Sequence, residues 1–572
     1  RNLFAVETER VPGKAILLFD GVDHVPPEPD TSKLIARAAK AGLDIAHTRL
    51  ADFFEDVRQQ KLNLKLFVGE LRAPGETRSQ NVIPGVLSSR IYLKQRNAAC
   101  EQLLLQWAEP SDAWAGLLGI ERIPGYLDLA WKYLLRNHPH DSICGCSIDQ
   151  VHRDMMYRFD QCRMIAERAT HVSLRAIADQ TTLPELAGEE DFAVSVFNPG
   201  DEALDGVVEL PLYFRRDTTN RYQEWFGYEP IVGFRLHDAA GRELPYQRLG
   251  VQKKVPAPTW DARAGHRGGL FEQVNVAAKL AIPPRGWTTL LCRPTTDKTR
   301  STGSQLVDDH TMENEFLRVR VNVNGTLDIT DRRGGTTYHQ ALTFEERADI
   351  GDGWFHGTAV NDAWFTSRAC AADVACVQDG FAQATLRIRL VMHVPERFEH
   401  NPEAMQRAAT LVPLEITSWV TLKAGQPWLE VRCEVENTAR DHRLRVLFPT
   451  HLPVKQYAAD GAYDVVWRDV ALRADNHTLW EPEVETKPQA TWTAVNDGKR
   501  GLAIIASGQP ESAVRDLPDR PIALTLFRGF ARTVGTAGEP DGQMLGRTSH
   551  RFWVYPHQGA LPGPELCRLG QR

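Results

Sequence analysis

The stretch NHPHDSICGCSIDQVHRD, residues 137–154, brings two histidines, an aspartate and two cysteines close together. Imidazole and carboxylate groups are the usual ligands of a catalytic zinc ion, which keeps one position open. His138 and His140 are two residues apart, a spacing that fits a loop or a strand better than one face of a helix. One loop cannot supply a complete site, so the residues alone leave two interpretations open. Either His138, His140 and Asp141 belong to a metal or sugar site, or they form a polar turn with exposed histidines ahead of a helix.

Cys144 and Cys146 lie in the same stretch. A single Cys-Gly-Cys without a second cysteine pair is weak evidence for a metal ion. We expect instead two small, half-buried thiols beside the start of a helix.

A second candidate group follows the apolar run from Ala15 to Phe19. A run of that length, closed by Gly21 and a Pro-rich turn, is typical of a buried parallel strand, and functional groups collect at the carboxyl ends of such strands. Asp23 and His24 stand at this end. A carboxyl group shielded from water can have its pKa raised enough to act as a general acid. On local grounds Asp23 could equally satisfy turn amides only.

Helical patterns surround the first candidate group. The segments SSRIYLKQRNAACEQLLLQW and YLDLAWKYLLRN carry apolar residues at helical spacing, and a third helix follows residue 147. Ser147 with Gln150 three residues later predicts a capping box at its start. The apolar stripe expected along this helix consists of Val151, Met155, Phe159 and Cys162. Three such helices in succession predict a bundle, interrupted by the strand-like segment LKLFVGELR.

Alternating apolar residues dominate from about residue 190 onward, which predicts β-sandwich domains. The segment EFLRVRVNVNGTLDIT reads as a hairpin whose turn, Asn324-Gly325, is expected to be type I′. The apolar residues expected on one face of the hairpin are Leu317, Val319, Val321, Leu327 and Ile329.

Composition excludes several classes of function. The formal net charge is −7, from 67 basic and 74 acidic residues without a long basic run, so we expect neither a nucleic acid nor a membrane partner. Nine scattered cysteines indicate reduced thiols, and hence a cytoplasmic location.

Several motifs, in order along the chain, together resemble the family 38 glycoside hydrolases. These motifs are FDGVDHVPPEPD, GELR, PGVLSSRIYLKQRN, NHPHDSICGCSIDQVH, NEFLRVRVNVNGTLDITDRRGG and GQMLGRTSHRFWVYPH. The family consists of retaining α-mannosidases, and the sequences of these motifs are most similar to those of the bacterial branch that includes mannosylglycerate hydrolases. The resemblance implies a multidomain α+β chain with the remnant of an α/β barrel-like catalytic domain, a three-helix bundle and β-sandwich domains. The expected divisions are residues 1–29, 30–186, 187–300 and 301–572.

The resemblance also implies roles for three residues. His140 matches a zinc ligand, Asp141 matches an aspartate that bonds sugar hydroxyls beside the zinc, and Asp23 matches the acid/base carboxylate. The family's His-x-Asp zinc motif and its nucleophilic aspartate have no counterpart here, and the triplet His152-Arg153-Asp154 lies inside a helix. We therefore expect the remaining zinc ligands in an N-terminal segment that this chain lacks.

These expectations combine into one hypothesis with an alternative. The chain derives from a zinc-dependent enzyme that hydrolyses α-mannosides, either a mannosylglycerate-like solute or a mannooligosaccharide, and this chain alone is inactive. Self-association through the β domains is a further expectation from the resemblance. The alternative is a non-catalytic carbohydrate-binding or interaction module derived from an α-mannosidase.

Overall fold

A computed structural model gives the fold of residues 2–21, 23–72, 81–183, 186, 188–256, 270–401, 403–533, 536–537 and 539–571. The chain divides into two compact units, Arg1–Leu71 and Arg72–Arg572. Helix and sheet occur in different parts of the chain, as expected for a multidomain α+β protein. Among the described residues, no helix has both the length and the apolar character needed to cross a membrane.

The first unit contains three short helices: α1 (Asn2–Arg10), α2 (Thr31–Lys40) and α3 (Leu50–Gln59). The run Ala15 to Phe19 is not a strand, and Phe19 is 82% exposed. The segment LKLFVGELR also contains no strand, with Leu66 82% exposed. Both strand predictions are therefore wrong for this chain. A parallel strand needs hydrogen-bonded neighbours, and no strand occurs among the described residues of this unit.

The second unit begins with a helical region. Its helices are α4 (Ile91–Gln102), α5 (Glu109–Leu117), α6 (Pro124–Leu135), α7 (His140–Cys144) and α8 (Asp149–Gln180), and a C-terminal helix, α9, spans Gly563–Gly570. A π-helical turn, Leu103–Ala108, joins α4 to α5. Pro110 explains this turn, because a proline has no N–H to donate and its ring crowds the carbonyl one turn earlier.

The long helices pack around one apolar core. Met155, Phe159 and Cys162 on α8 are buried there, which confirms the predicted face at these three positions, while Val151 is half-buried and lies outside this core. They pack with residues of the other helices, among them Leu93, Leu104, Leu127 and Leu134.

A first β region follows the bundle. Its strands are β1 (Phe192–Asn198), β2 (Leu204–Arg215), β3 (Arg221–Tyr222), β4 (Ile231–Val232), β5 (Phe234–His237), β6 (Glu243–Leu244), β7 (Tyr246–Pro256), β8 (Leu270–Ile282) and β9 (Gly286–Pro294). A four-stranded sheet (β1-β9-β5-β6) and a three-stranded sheet (β2-β8-β7) enclose a shared core that includes Leu212, Phe234 and Val276.

The larger β region begins with a five-stranded sheet. It runs in order through β10 (Leu306–Asp308), β11 (Thr311–Glu313), β12 (Leu317–Val321), β13 (Leu327–Asp331) and β14 (Thr336–Ala341).

The remaining strands are β15 (Thr343–Ala348), β16 (Phe365–Thr366), β17 (Ala372–Gln378), β18 (Gln383–Pro395), β19 (Phe398–Glu399), β20 (Gln406–Arg407), β21 (Leu411–Lys423), β22 (Leu429–Asn437), β23 (His442–Phe448), β24 (Gln456–Asp460), β25 (Val465–Asp469), β26 (Lys487–Pro488), β27 (Trp492–Asn496), β28 (Arg500–Ile505), β29 (Glu511–Val514), β30 (Ile522–Arg528), β31 (Arg532–Thr533), β32 (Thr536–Ala537) and β33 (Gly546–Gln558). They build a six-stranded sheet (β16-β15-β23-β30-β29-β26) and a nine-stranded sheet (β17-β18-β21-β22-β33-β28-β27-β24-β25), with short pairs β19-β20 and β31-β32. Both large sheets share one core with the five-stranded sheet.

The predicted hairpin is present as β12 and β13, with Val321 opposite Leu327. All five apolar residues expected on one face are buried in the shared core. The turn prediction is wrong, because residues 322–326 form a longer connection in which Gly325 has φ +80° while Asn324 does not have positive φ. The Asn324 side chain instead accepts a hydrogen bond from the Thr326 amide (3.2 Å).

Candidate functional site

The candidate site lies between the end of α6 and the start of α8. Asn137 follows α6 and is buried, with its side chain donating to the Met155 carbonyl (3.1 Å). His138 Nε2 lies 2.6 Å from Asn97 Oδ1, on α4. The His138 ring is therefore turned toward the bundle and bonded to an amide, so it is not available beside His140 as a second ligand.

His140 and Asp141 form the start of α7 and face outward. The side chains are 88% and 57% exposed, and His140 Nε2 lies 3.5 Å from Asp141 Oδ2. An imidazole and a carboxylate side by side can coordinate a metal ion or bond sugar hydroxyls.

Helix α7 ends after one turn because Gly145 adopts φ +77°. The Gly145 amide donates to the Ser142 carbonyl (3.0 Å) and the Cys146 amide donates to the Asp141 carbonyl (3.2 Å). This pair of bonds is the Schellman motif, which fixes the direction of the chain beyond the helix. His140 and Asp141 are thus held on a short, defined helix.

The last carbonyl of α7 and the two carbonyls that follow it accept hydrogen bonds from distant side chains. Lys94 Nζ donates to the Cys144 carbonyl (3.0 Å) and Arg90 Nε donates to the Gly145 carbonyl (3.2 Å). The Thr533 hydroxyl donates to the Cys146 carbonyl. Cationic donors suit these positions, because carbonyls at a helix C-terminus carry partial negative charge.

The start of α8 is bonded by side chains far away in sequence. The predicted capping box at Ser147 and Gln150 is wrong: α8 begins at Asp149, and the Gln150 side chain donates to Asp154 (2.9 Å). Glu539 accepts the Asp149 amide (2.8 Å) in place of a local cap.

The buried titratable groups around α7 have shifted pKa values. Burial lowers the pKa of Lys94 to about 7, with nearby Arg528 and Arg90 acting in the same direction. Burial raises the pKa of Cys144 and raises that of Cys146 to about 12. Cys146 is buried and Cys144 is half-buried, which confirms the expectation of small thiols packed near the helix start.

Asp23 belongs to the first unit. Its side chain is 87% exposed; Oδ1 accepts the His24 amide (3.1 Å), and Oδ2 lies 3.4 Å from His24 Nε2. The expected shielding of this carboxylate from water is therefore wrong for this chain. Shielding would have required the apolar run before it to be buried in a sheet.

The residues that the structure describes contain no group of three or more histidines, cysteines, aspartates and glutamates that could hold a metal ion. His140 offers one imidazole, which does not make a zinc site by itself. The triplet His152-Arg153-Asp154 is no substitute. His152 is buried against the Ser147 carbonyl (3.0 Å), burial lowers its pKa to about 4, and Arg153 pairs with Asp541 (2.8 Å).

Sequence reasoning missed the residues that support α7 from a distance. Lys94 and Arg90 lie four residues apart at the start of α4, so two basic residues at helical spacing in an otherwise apolar helix start were a readable signal. Thr533 and Glu539 come from the larger β region, and no local pattern marks them.

Two segments match known domains of one family. Residues 83–177 match the α-mannosidase middle domain, and residues 312–542 match the C-terminal domain of the family 38 glycosyl hydrolases. The chain belongs to glycosyl hydrolase family 38 through these two domains. The first match contains His140 and Asp141, and the second contains Thr533 and Glu539.

Relatives and solved structures agree with this family. A protein of Halalkalibacterium halodurans that carries the provisional name mannosylglycerate hydrolase is 27% identical over 596 residues, which cover 97% of this chain and 63% of the relative. An α-mannosidase structure from Enterococcus faecalis V583 superposes with a TM-score of 0.87 at 25% identity, over 100% of this chain and 67% of that one. A family 38 protein structure from Enterococcus faecalis, at 24% identity and a TM-score of 0.82, shows the same fold. This family 38 chain spans less than two thirds of the length of the Halalkalibacterium protein.

Proposed function

We propose that this family 38 chain is the helical and β part of a retaining, zinc-dependent α-mannosidase. The observation that carries the proposal is the pair His140 and Asp141, side by side and exposed on a short helix within the segment that matches the α-mannosidase middle domain. An exposed imidazole-carboxylate pair with so much supporting structure behind it is expected to face a substrate. The name of the Halalkalibacterium relative favours a small α-mannosyl solute such as mannosylglycerate, with a mannooligosaccharide as the other candidate.

The roles proposed for the individual residues are those that the resemblance to family 38 implies. His140 would supply one ligand of a single zinc ion, which would orient the sugar and polarise its hydroxyls, and Asp141 would accept hydrogen bonds from sugar hydroxyls. Asp23 protonates the leaving oxygen and later deprotonates the attacking water, as the acid/base carboxylate of a retaining glycosidase does. The nucleophile and the other zinc ligands are proposed to come from the part of the relatives that this chain does not span.

Asp23 is also proposed to lie in the remnant of an α/β barrel-like domain. The exposed apolar side chains of Phe19 and Leu66 support this, because apolar surface of this kind is expected to be covered by further chain. The division of the chain at residues 29, 186 and 300 stays a prediction, as does self-association. A cytoplasmic location is supported by the nine cysteines, all of which are free.

The proposal predicts different turnover for the chain alone and for a chimaera when both are assayed with an aryl α-mannoside and added zinc. The 572-residue chain alone should show no turnover. A chimaera should hydrolyse the substrate when it carries, ahead of Arg1, the part of the Halalkalibacterium relative that this chain does not span. In the chimaera, Asp23→Asn should lower the rate by about 10²–10⁴-fold, and His140→Ala should lower both zinc content and rate.

His138→Ala is the matched control, because its ring contacts Asn97 and not the proposed site. Turnover by the chain alone would contradict the proposed inactivity. A folded chimaera whose activity is unchanged by His140→Ala would contradict the proposed site. Saturable mannoside binding to the chain alone that withstands both a chelator and His140→Ala would favour the alternative, a non-catalytic carbohydrate-binding module.

A further inference from the structure

The carboxylate of Asp141 receives a hydrogen bond from a thiol. Cys146 Sγ lies 3.3 Å from Asp141 Oδ1 and 3.5 Å from the Asp141 carbonyl oxygen, so Oδ1 is the nearer acceptor of its proton, while Oδ2 lies 3.5 Å from His140 Nε2. Because 57% of the Asp141 side chain is exposed, the direction of its carboxylate depends on the few contacts that restrict its torsions. The thiol is therefore placed to set the direction of one carboxylate oxygen and leave the other open.

Cys146 is suited to this role by its environment. It is 7% exposed, and burial raises the pKa of its thiol to about 12, so the sulfur keeps its proton at physiological pH. It also occupies the last position of the Schellman motif, which returns the chain toward Asp141 through the amide-to-carbonyl bond of 3.2 Å. Backbone and side chain of Cys146 thus both bond to Asp141.

Residues of the larger β region fix Cys146 from the other side. The Thr533 hydroxyl donates to the Cys146 carbonyl. Gly353 packs so closely that a Cβ on it would lie 2.9 Å from Cys146 Cβ, and the Gly353 carbonyl accepts the Ser89 hydroxyl (2.6 Å). Arg528 donates to the Asp352 carbonyl (2.9 Å) and so holds the loop that contains Gly353.

We propose that Cys146 is a positioning residue: its thiol orients the sugar-binding carboxylate of Asp141. Gly353 and Thr533 of the larger β region hold Cys146 in place for this role. This inference rests on the proposed function for the role of Asp141, and it assigns a task to the β domain in the sugar site. Cys144 provides the contrast, because its carbonyl bonds to Lys94 while no hydrogen bond joins its thiol to Asp141 among the described residues.

The hydrogen bond itself can be tested on the 572-residue chain without any activity, by infrared spectroscopy of the S–H stretch. The difference between the wild type and Cys146→Ser isolates the band of this thiol. Because Asp141 accepts the proton of this thiol, Asp141→Ala should move the Cys146 band to higher frequency. The Cys144 band, isolated as the difference between the wild type and Cys144→Ser, serves as the control and should not move in Asp141→Ala. A Cys146 band that does not respond to Asp141→Ala would overturn the inference.

The consequence for sugar binding can be measured in the active chimaera. Cys146→Ala should raise KM for an α-mannoside about fivefold to tenfold with a smaller change in kcat, since the bond to the sugar hydroxyl exists in both bound substrate and transition state. Cys146→Ser, which keeps a donor, should recover most of the loss, and Cys144→Ala should have no effect. Equal KM values for Cys146→Ala and wild type, or equal losses for the Ala and Ser variants at unchanged stability, would overturn the positioning role. Absence of turnover in every chimaera would count against the proposed function, while the infrared result would still decide the hydrogen bond.

Discussion

At the scale of single residues, Lys94 is unusual because its ammonium group is buried beside α7. It donates to the Ser89 carbonyl and to the Cys144 carbonyl, and the thiols of Cys144 and Cys146 lie near enough to influence its pKa. Two cationic side chains, Arg90 and Arg528, also lie near enough to disfavour its charge. Burial is the largest effect, and it lowers the Lys94 pKa to about 7 from an ordinary value of 10.5.

This pKa predicts a pH dependence of stability. Between about pH 7 and pH 10.5 the unfolded chain binds the Lys94 proton while the folded chain has lost it, so stability rises with pH across this window. Below pH 7 the cost of burying the charge is constant. Lys94→Met should therefore flatten the rise by up to about 1.4 kcal/mol per pH unit. Urea unfolding from pH 7 to 10 measures it, with the exposed Lys132→Met as control; parallel curves for Lys94→Met and wild type would contradict the prediction.

At the scale of elements, the end of α7 depends on Gly145, the residue that follows it. Gly145 and Gly119 both have φ +77°, a conformation in which a side chain costs about 1–2 kcal/mol. Their surroundings differ, because a Cβ at Gly145 would lie 2.8 Å from the Ser89 carbonyl oxygen, while a Cβ at Gly119 would meet nothing within 4 Å.

The two glycines therefore form a matched pair for substitution. Gly119→Ala should lower the unfolding free energy by about 1–2 kcal/mol. Gly145→Ala should add a further loss of about 1–3 kcal/mol, because the methyl group presses on the carbonyl at the start of α4. Urea midpoints measure both. Equal losses would mean that Ser89 moves aside freely and that the α7 region is less rigid than its hydrogen bonds indicate.

The sequence predicts elements well where the deciding contacts repeat along one segment. Met155, Phe159 and Cys162 are found on the predicted face of α8, and the hairpin residues Leu317 and Val319 face the core as expected. Prediction fails where a partner from far along the chain decides. The start of α8 is bonded by Glu539, 390 residues away, so the local capping signal at Ser147 is not used.

At the scale of the whole molecule, the β domain and the helical bundle meet at a buried ion pair. Arg528 Nε lies 2.5 Å from Asp349 Oδ2, and both side chains are 0% exposed. Arg528 also donates to the Gly85 carbonyl (2.8 Å), ahead of α4, and His356 Nδ1 lies 2.9 Å from Asp349 Oδ2. Such a junction of residues 85, 349 and 528 has no signature in sequence, because a buried arginine and aspartate look like any surface pair. The motifs around His140 could be recognised, but the residues of the larger β region that support them could not.

Removing one member of this ion pair should weaken the contact between bundle and β domain. Asp349→Ala leaves the Arg528 charge buried without its carboxylate, a change that typically costs about 3–5 kcal/mol. The matched control is Glu167→Ala, which removes an exposed partner of Arg163 and should cost less than about 1 kcal/mol. Burial alone would raise the pKa of Asp349, but Arg528 and His356 lower it far below its ordinary value. The stability that its carboxylate contributes is therefore present above about pH 4 and is lost as the pH falls further.

Hydrogen exchange measures the effect of the substitution on the interface. Because Arg528 binds the Gly85 carbonyl, the amides around residues 85–90 should exchange faster in Asp349→Ala than in Glu167→Ala. Exchange that is equally slow in both variants would show that other contacts carry this interface and that Arg528 is not what holds the loop of Gly353 against Cys146.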